Sequence, residues 1–183
     1  MLYAKSKKFT FISIILLLSS LFFPFWVCIM VAPTYPEGLR IDFYGDRLEG
    51  DIREWSIISN LVGINIPTNV PEIDMKIIPL IILSLSAIFA LSFFSRKWLK
   101  ISVIVSLITL SALSAWTQYR LYLIGHNLDE TAPLRNLIEP FTPPIIGWID
   151  VGGSITVYHL PHIGSTLVFF AIVINLLIFI KTR

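Results

Sequence analysis

Residues 9–31 read FTFISIILLLSSLFFPFWVCIMV, with no Asp, Glu, Lys, Arg or His among them. A helix that crosses about 30 Å of hydrocarbon at about 1.5 Å per residue needs roughly 17 to 25 mostly apolar residues, and this run has that length. Three further runs, residues 77–95, 101–119 and 163–180, are also free of ionisable side chains. The pattern predicts an all-α membrane fold of four transmembrane helices in a single domain spanning residues 1–183. The intervening segments, 32–76 and 120–162, are expected to be outer loops that fold into a small α/β cap. The first run follows Lys5, Lys7 and Lys8, as a cleaved signal peptide would. Its apolar stretch is too long for a signal core, however, and Phe23-Pro24-Phe25-Trp26-Val27-Cys28 lacks the small residues a signal peptidase prefers. It reads as a retained anchor, and the same bulky residues argue against a lipid on Cys28.

Composition agrees with a membrane class: 55% of the 183 residues are hydrophobic and 14% charged, too few charges for an ordinary soluble domain. Charge then orients the chain. Lys5, Lys7, Lys8, Arg96, Lys97, Lys100, Lys181 and Arg183 flank the four runs on one side with no acid among them, while all 12 acids lie in the two long loops. Because Lys and Arg are retained in the cytoplasm during insertion, both termini and the turn near residue 97 are expected to be cytoplasmic, in the inner (plasma) membrane. The loops then form an acidic outer surface. Trp26, Trp98 and Trp116 sit near span ends, as belt residues do. No basic patch interleaved with aromatics suggests nucleic acid.

The runs exclude several chemistries. A transporter needs ionisable groups at membrane depth, where beyond Ser and Thr only Asn175 and Gln118 stand out. Haem ligation within a bundle needs histidines in the spans, and a quinone-linked disulfide oxidoreductase needs a cysteine pair, whereas Cys28 is the single cysteine. The serines of the second and third runs, such as Ser86, Ser102 and Ser106, suit close helix packing and hydrogen bonding across helices.

In the first loop, Leu39, Ile41 and Phe43 alternate with Arg40, Asp42 and Tyr44, which predicts a half-buried strand, and Gly45-Asp46 supplies turn chemistry for a hairpin. Trp55, Ile58, Leu61 and Val62 recur at helical spacing and predict a short helix over 53–62. In the second loop, Thr131 precedes an expected helical turn at 132–138, and Pro140, Pro143 and Pro144 hold the chain extended. Residues 154–160 are rich in β-branched and aromatic side chains, and the strand they predict would pair with the hairpin.

The segment Ala32-Pro33-Thr34-Tyr35-Pro36-Glu37-Gly38-Leu39 resembles the A-P-x-Y-P-E-G-L motif of a family of small bacterial four-helix membrane proteins. These are often encoded near nitrous-oxide reductase accessory proteins and copper chaperones. Gly125-His126-Asn127-Leu128-Asp129 with Ala132-Pro133 is similar to that family's G-H-D-L-D-P-x-A-P. Phe141-Thr142-Pro143-Pro144-Ile145-Ile146-Gly147 is similar to its F-x-P-P-x-I-G. The resemblance implies a membrane protein associated with copper enzymes. One departure weakens a metal role: where the family carries N-H-Y-I-G-M, this chain reads Ser59-Asn60-Leu61-Val62-Gly63-Ile64, without the histidine or methionine.

Soft sulfur and imidazole donors select copper, and here they cluster on the outer side. His126, His159 and His162 with Met30 or Met75 form the candidate metal set; otherwise no cofactor is expected. His126 with Asp129 is conceivable as an acid–base pair, but no nucleophile motif accompanies it, and the chain reads as a non-enzyme. The leading expectation is a non-catalytic subunit or assembly factor of a larger membrane complex. Its partners would be other integral membrane proteins and the lipid bilayer, not nucleic acid. Tyr35, Pro36, Glu37, Gly38, Trp55, Asp129, Pro143 and Pro144 are the candidate docking residues. The alternative is a copper-handling protein of the outer face.

Overall fold

The computed structural model describes the backbone of residues 2–64 and 73–181 and the side chains of residues 7–64 and 77–181. Lys5, Glu72, Asp74, Met75 and Arg183 lie outside the described side chains.

The opening stretch does not form one helix. Its first part belongs to α1 (Leu2–Ser20), and its last part is a strand, β1 (Trp26–Ala32). Between them the chain tightens through three-residue turns, with Leu21, Phe22 and Phe23 donating to the carbonyls of Leu18, Ser19 and Ser20. Pro24, which has no N–H to give a helix, then turns the chain into extended structure. β1 is followed by β2 (Tyr35–Phe43), β3 (Leu48–Gly50), α2 (Ile52–Val62), α3 (Ile73–Leu91), α4 (Arg96–His126), a 3-10 turn (Arg135–Leu137), β4 (Gly147–Val151), β5 (Ile155–Pro161) and α5 (Ile163–Lys181).

The expected four-span all-α class is therefore corrected. The fold mixes helices with one five-stranded antiparallel sheet in the order β3-β2-β1-β5-β4. Among the described residues two helices, α4 and α5, are long and apolar enough to cross a membrane, and the apolar part of α3, Ile77–Leu91, is shorter. Apolar length misled because β1 is the central strand. It is apolar on both faces, so it continues the apolar run of α1 with no polar interruption. The other runs shift as well: 77–95 ends early at Leu91, 101–119 grows at both ends into the 31 residues of α4, and 163–180 falls where α5 forms. In the loops, the strand over 39–43, its turn and the helix over 53–62 correspond to β2, the turn before β3, and α2. The strand at 154–160 is β5, but it pairs with β1 and β4 rather than with the β2–β3 hairpin.

Two separate cores result. One face of the sheet, carrying Cys28, Met30, Leu39, Ile41, Val151 and Val157, packs on Trp55, Ile58 and Val62 of α2 and on Leu128 and Ile138. In the other core, Leu17, Ile82, Leu85, Phe89 and Ala171 meet where α1, α3 and α5 pack together. Beside this apolar core the helix layer also buries polar groups and exposes large apolar ones. It buries Ser13, Ser86, Ser102, Ser106 and Asn175 while Phe9, Phe11, Leu80, Ile108, Phe169 and Phe170 are exposed, Ile108 by 63%. The expected serine bonding between helices forms at Ser102. Each of these serine hydroxyls donates to a carbonyl of its own helix, at 2.6–3.1 Å, and the bond that does cross is from Asn175 Nδ2 to Ser102 Oγ at 2.8 Å.

The two layers are joined where α1 enters β1 and β5 enters α5. His162 N–H donates to Phe25 O at 3.0 Å and Gly164 N–H to Pro24 O at 2.8 Å. A Cβ on Gly164 would stand 2.8 Å from Phe23 O and 2.9 Å from Pro24 O, closer than real contacts allow, so only glycine fits this crossing. Gly164→Ala is expected to cost about 1–3 kcal/mol through this overpacking. Thermal unfolding of the purified protein checks it, and an unchanged midpoint would contradict the close approach.

Candidate functional site

β1 and β5 place Cys28 directly opposite His159, on the sheet face that carries the core. The two side chains meet there, Cys28 Sγ to His159 Nδ1 at 3.3 Å. Burial pushes the Cys28 thiol up to about 12 and holds the His159 imidazole below its ordinary range. Both groups are therefore uncharged at neutral pH, and the pair is a thiol–imidazole hydrogen bond rather than the thiolate–imidazolium couple a nucleophilic cysteine needs. Met30, two residues along the same strand face, is buried in the same cluster.

The three candidate histidines are not brought together. His126 ends α4, where its Nδ1–H donates to Tyr122 O at 3.0 Å and its ring stacks on Tyr122 with centroids 3.9 Å apart. His162 precedes α5 and meets Arg40 Nη2 at 3.2 Å. A guanidinium only donates, so His162 Nε2 accepts and its proton sits on Nδ1, which is buried without a partner among the described residues. Arg40 is held in turn by Asp42, at 2.9 Å. Met75 of the candidate copper set lies outside the described side chains. Among the described residues no group of three or more His, Cys, Asp or Glu is placed to hold a metal. The acid–base pairing of His126 with Asp129 does not form either, because Asp129 accepts from the hydroxyl of Thr131 at 2.7 Å and its N–H at 2.9 Å. Those bonds hold the Asp129 carboxyl below its ordinary range.

The candidate docking residues divide. Tyr35 begins β2 and packs on the core, Pro36 and Glu37 are exposed, and Gly38 faces Ile29 and Val31 across the β1–β2 pair. Trp55 is not on a docking surface: it lies in the core, 4% exposed. Pro143 is buried, with its carbonyl accepting from Gln118 Nε2 at 3.3 Å, and Pro144 is half-buried. The surface that sequence reasoning missed is the second face of the sheet. Strand pairing puts Arg40, Ile29, Tyr158 and Trp148 in one row across it, with Val27 and Leu160 in the row on one side and Val31 and Thr156 in the row on the other. Val27 is buried, but the face opens toward β5 and β4, where Trp148 is 61%, Leu160 40% and Tyr158 38% exposed. Its margins are acidic. Asp42 pairs with Glu49 at one side, and Asp150 accepts from Thr156 Oγ1 at the other. The signal was legible in residues 148–151, where Trp148 and Asp150 alternate with Ile149 and Val151 at period two.

His159 carries a sign-definite pH dependence. Its pKa is lowered from 6.5 in the folded protein, so as pH falls the unfolded chain takes up the proton first. Stability should be flat well above pH 6.5 and decline once the pH drops below it. Melting at about pH 7.5 and about pH 5.5 checks this, with a smaller decline expected in His159→Leu; equal declines in both proteins would contradict it. No family model, no curated protein and no solved structure matches the chain, so its own geometry carries the functional reading.

Proposed function

We propose that this chain is a membrane-anchored, non-catalytic accessory subunit or assembly factor, with its helix layer in the bilayer and its sheet layer docking a larger membrane protein. The apolar outward surface of the helix layer supports the first half. Large apolar side chains facing outward, with serines buried among the apolar core residues, are what hydrocarbon as solvent tolerates, and the buried serine hydroxyls find acceptors within their own helices. The basic residues support it too. Lys7, Lys8, Arg96, Lys97, Lys100 and Lys181 all lie at the helix ends away from the sheet, where the positive-inside bias would keep them.

The open sheet face is the observation that carries the second half. A strand row of Ile29, Tyr158 and Trp148 beside Val31 and Leu160 is an apolar surface of the kind that marks interaction sites. By strand register this face carries Asp42, Glu49 and Asp150 against Arg40. The partner that fits is the extramembrane part of a larger membrane protein presenting an apolar patch edged with basic side chains. Trp148 and Tyr158 would be the anchors, since exposed aromatics carry a large share of such binding energy.

Under mild detergent extraction from native membranes, the chain should co-purify with its partner. Trp148→Asp with Tyr158→Asp should weaken that association by at least about 2 kcal/mol, while Arg53→Gln on α2 leaves it intact. A native chain that elutes as a clean monomer, or a double variant that keeps the partner, would overturn the reading.

A further inference from the structure

At the end of the helix layer away from the sheet, α4 begins beside the end of α5. An open groove of about 560 Å³ lies between them, lined by Arg96, Lys97, Lys100 and Phe179. Three cations converge on one groove, and among the described residues none of the three is paired with an acid. No acid occurs anywhere in the sequence from residue 75 to residue 128, or after Asp150, so the two helices that form the groove offer none to neutralise it. A topological bias alone places positive charge at this end. It does not require three side chains to share one groove with an aromatic from the neighbouring helix.

One side of the groove continues into apolar surface. Ile104, Leu107 and Ile108 follow Lys100 along α4 at helical spacing and are exposed, and Trp98 and Phe94, near the start of α4 in sequence, are exposed too. A ligand that fits has an anionic head for the cations and a hydrocarbon tail for the adjoining stripe. Basic pockets between helices at the cytoplasmic membrane surface take phospholipid headgroups on this principle. Resting on the membrane reading above, we propose that the groove is a specific site for an anionic glycerophospholipid. Its phosphodiester would lie among Arg96, Lys97 and Lys100, its glycerol backbone against Phe179, and one acyl chain along Ile104, Leu107 and Ile108. Each phosphodiester carries one negative charge, so a lipid with two of them, of the cardiolipin class, answers three cations better than a lipid with one.

The test is native mass spectrometry of the full chain in neutral detergent, with cardiolipin, phosphatidylglycerol, phosphatidylcholine or inorganic phosphate added in turn. Bound cardiolipin and phosphatidylglycerol, in that order of occupancy, with little phosphatidylcholine or phosphate, is the expected result. Arg96→Gln with Lys97→Gln and Lys100→Gln should lower anionic-lipid occupancy at least about tenfold, whereas Lys7→Gln with Lys8→Gln, outside the groove, should change it by less than about twofold. A matched melting curve of each variant in the same detergent separates a lost site from a lost fold. Equal binding of neutral and anionic lipid would overturn the proposal, and so would equal loss in both sets of variants or occupancy by phosphate alone. If the chain partitions into the aqueous phase without detergent, it is the membrane reading that fails.

Discussion

Two backbone hydrogen bonds, His162 to Phe25 and Gly164 to Pro24, tie the point where α1 becomes β1 to the point where β5 becomes α5. Everything above and below depends on that crossing. Because the strands are antiparallel neighbours, the helices that extend them are antiparallel neighbours too, and the register of the sheet sets how α1 meets α5. Pro24 ends one helix without leaving an unpaired N–H, and Gly164 admits the backbone contact that a side chain would block. The same crossing holds Cys28 against His159 on one face and brings His162 to Arg40.

Both layers bury apolar side chains, but they differ in what they expose. The sheet layer hides Met30, Ile41, Trp55 and Val62 in a conventional core and keeps its carboxylates outside. The helix layer hides serines and Asn175 and presents phenylalanines, leucines and isoleucines outward. Small buried residues let helices approach closely where no hydrophobic effect drives them together, and Asn175 to Ser102 supplies a polar tie between α4 and α5. In this account the chain is built for a boundary between two media. Its proposed binding surfaces, the open sheet face and the basic groove, lie at opposite ends of it.

The parts legible in the sequence were those with one solvent-facing side. Leu39, Ile41 and Phe43 alternate with polar neighbours because β2 is half-buried, and Trp55, Ile58 and Val62 repeat at helical spacing because α2 covers the sheet with one face. The charge bias was equally plain, since it requires only counting. β1 was hidden because Val27, Ile29 and Val31 lie on one face and Cys28, Met30 and Ala32 on the core face. With both sides apolar, it reads as the tail of a membrane span. Pro24 was the local sign of a break, and the β-branched residues at every second position were the sign of a strand. The contact of Cys28 with His159 joins residues 131 apart and exists only through the β1–β5 register, which no local pattern reveals. The histidines looked like one site because they share a side of the membrane in sequence, but strand direction and helix starts send them to three different neighbourhoods.

The central claim is that residues 26–32 form the middle strand of a sheet rather than the end of a membrane helix. Oxidative cross-linking in a Cys28→Ser background tests it most directly. Ile29 and Tyr158 face each other across β1 and β5 on the open side, and opposed antiparallel residues lie about 4.5–5.5 Å apart at Cα, within disulfide range. Ile29→Cys with Tyr158→Cys should cross-link readily under mild oxidation, while Ile29→Cys with Val157→Cys, whose second residue points to the core face, should not. A failure of the first pair, or equal cross-linking of both, would contradict the strand and the architecture that hangs from it.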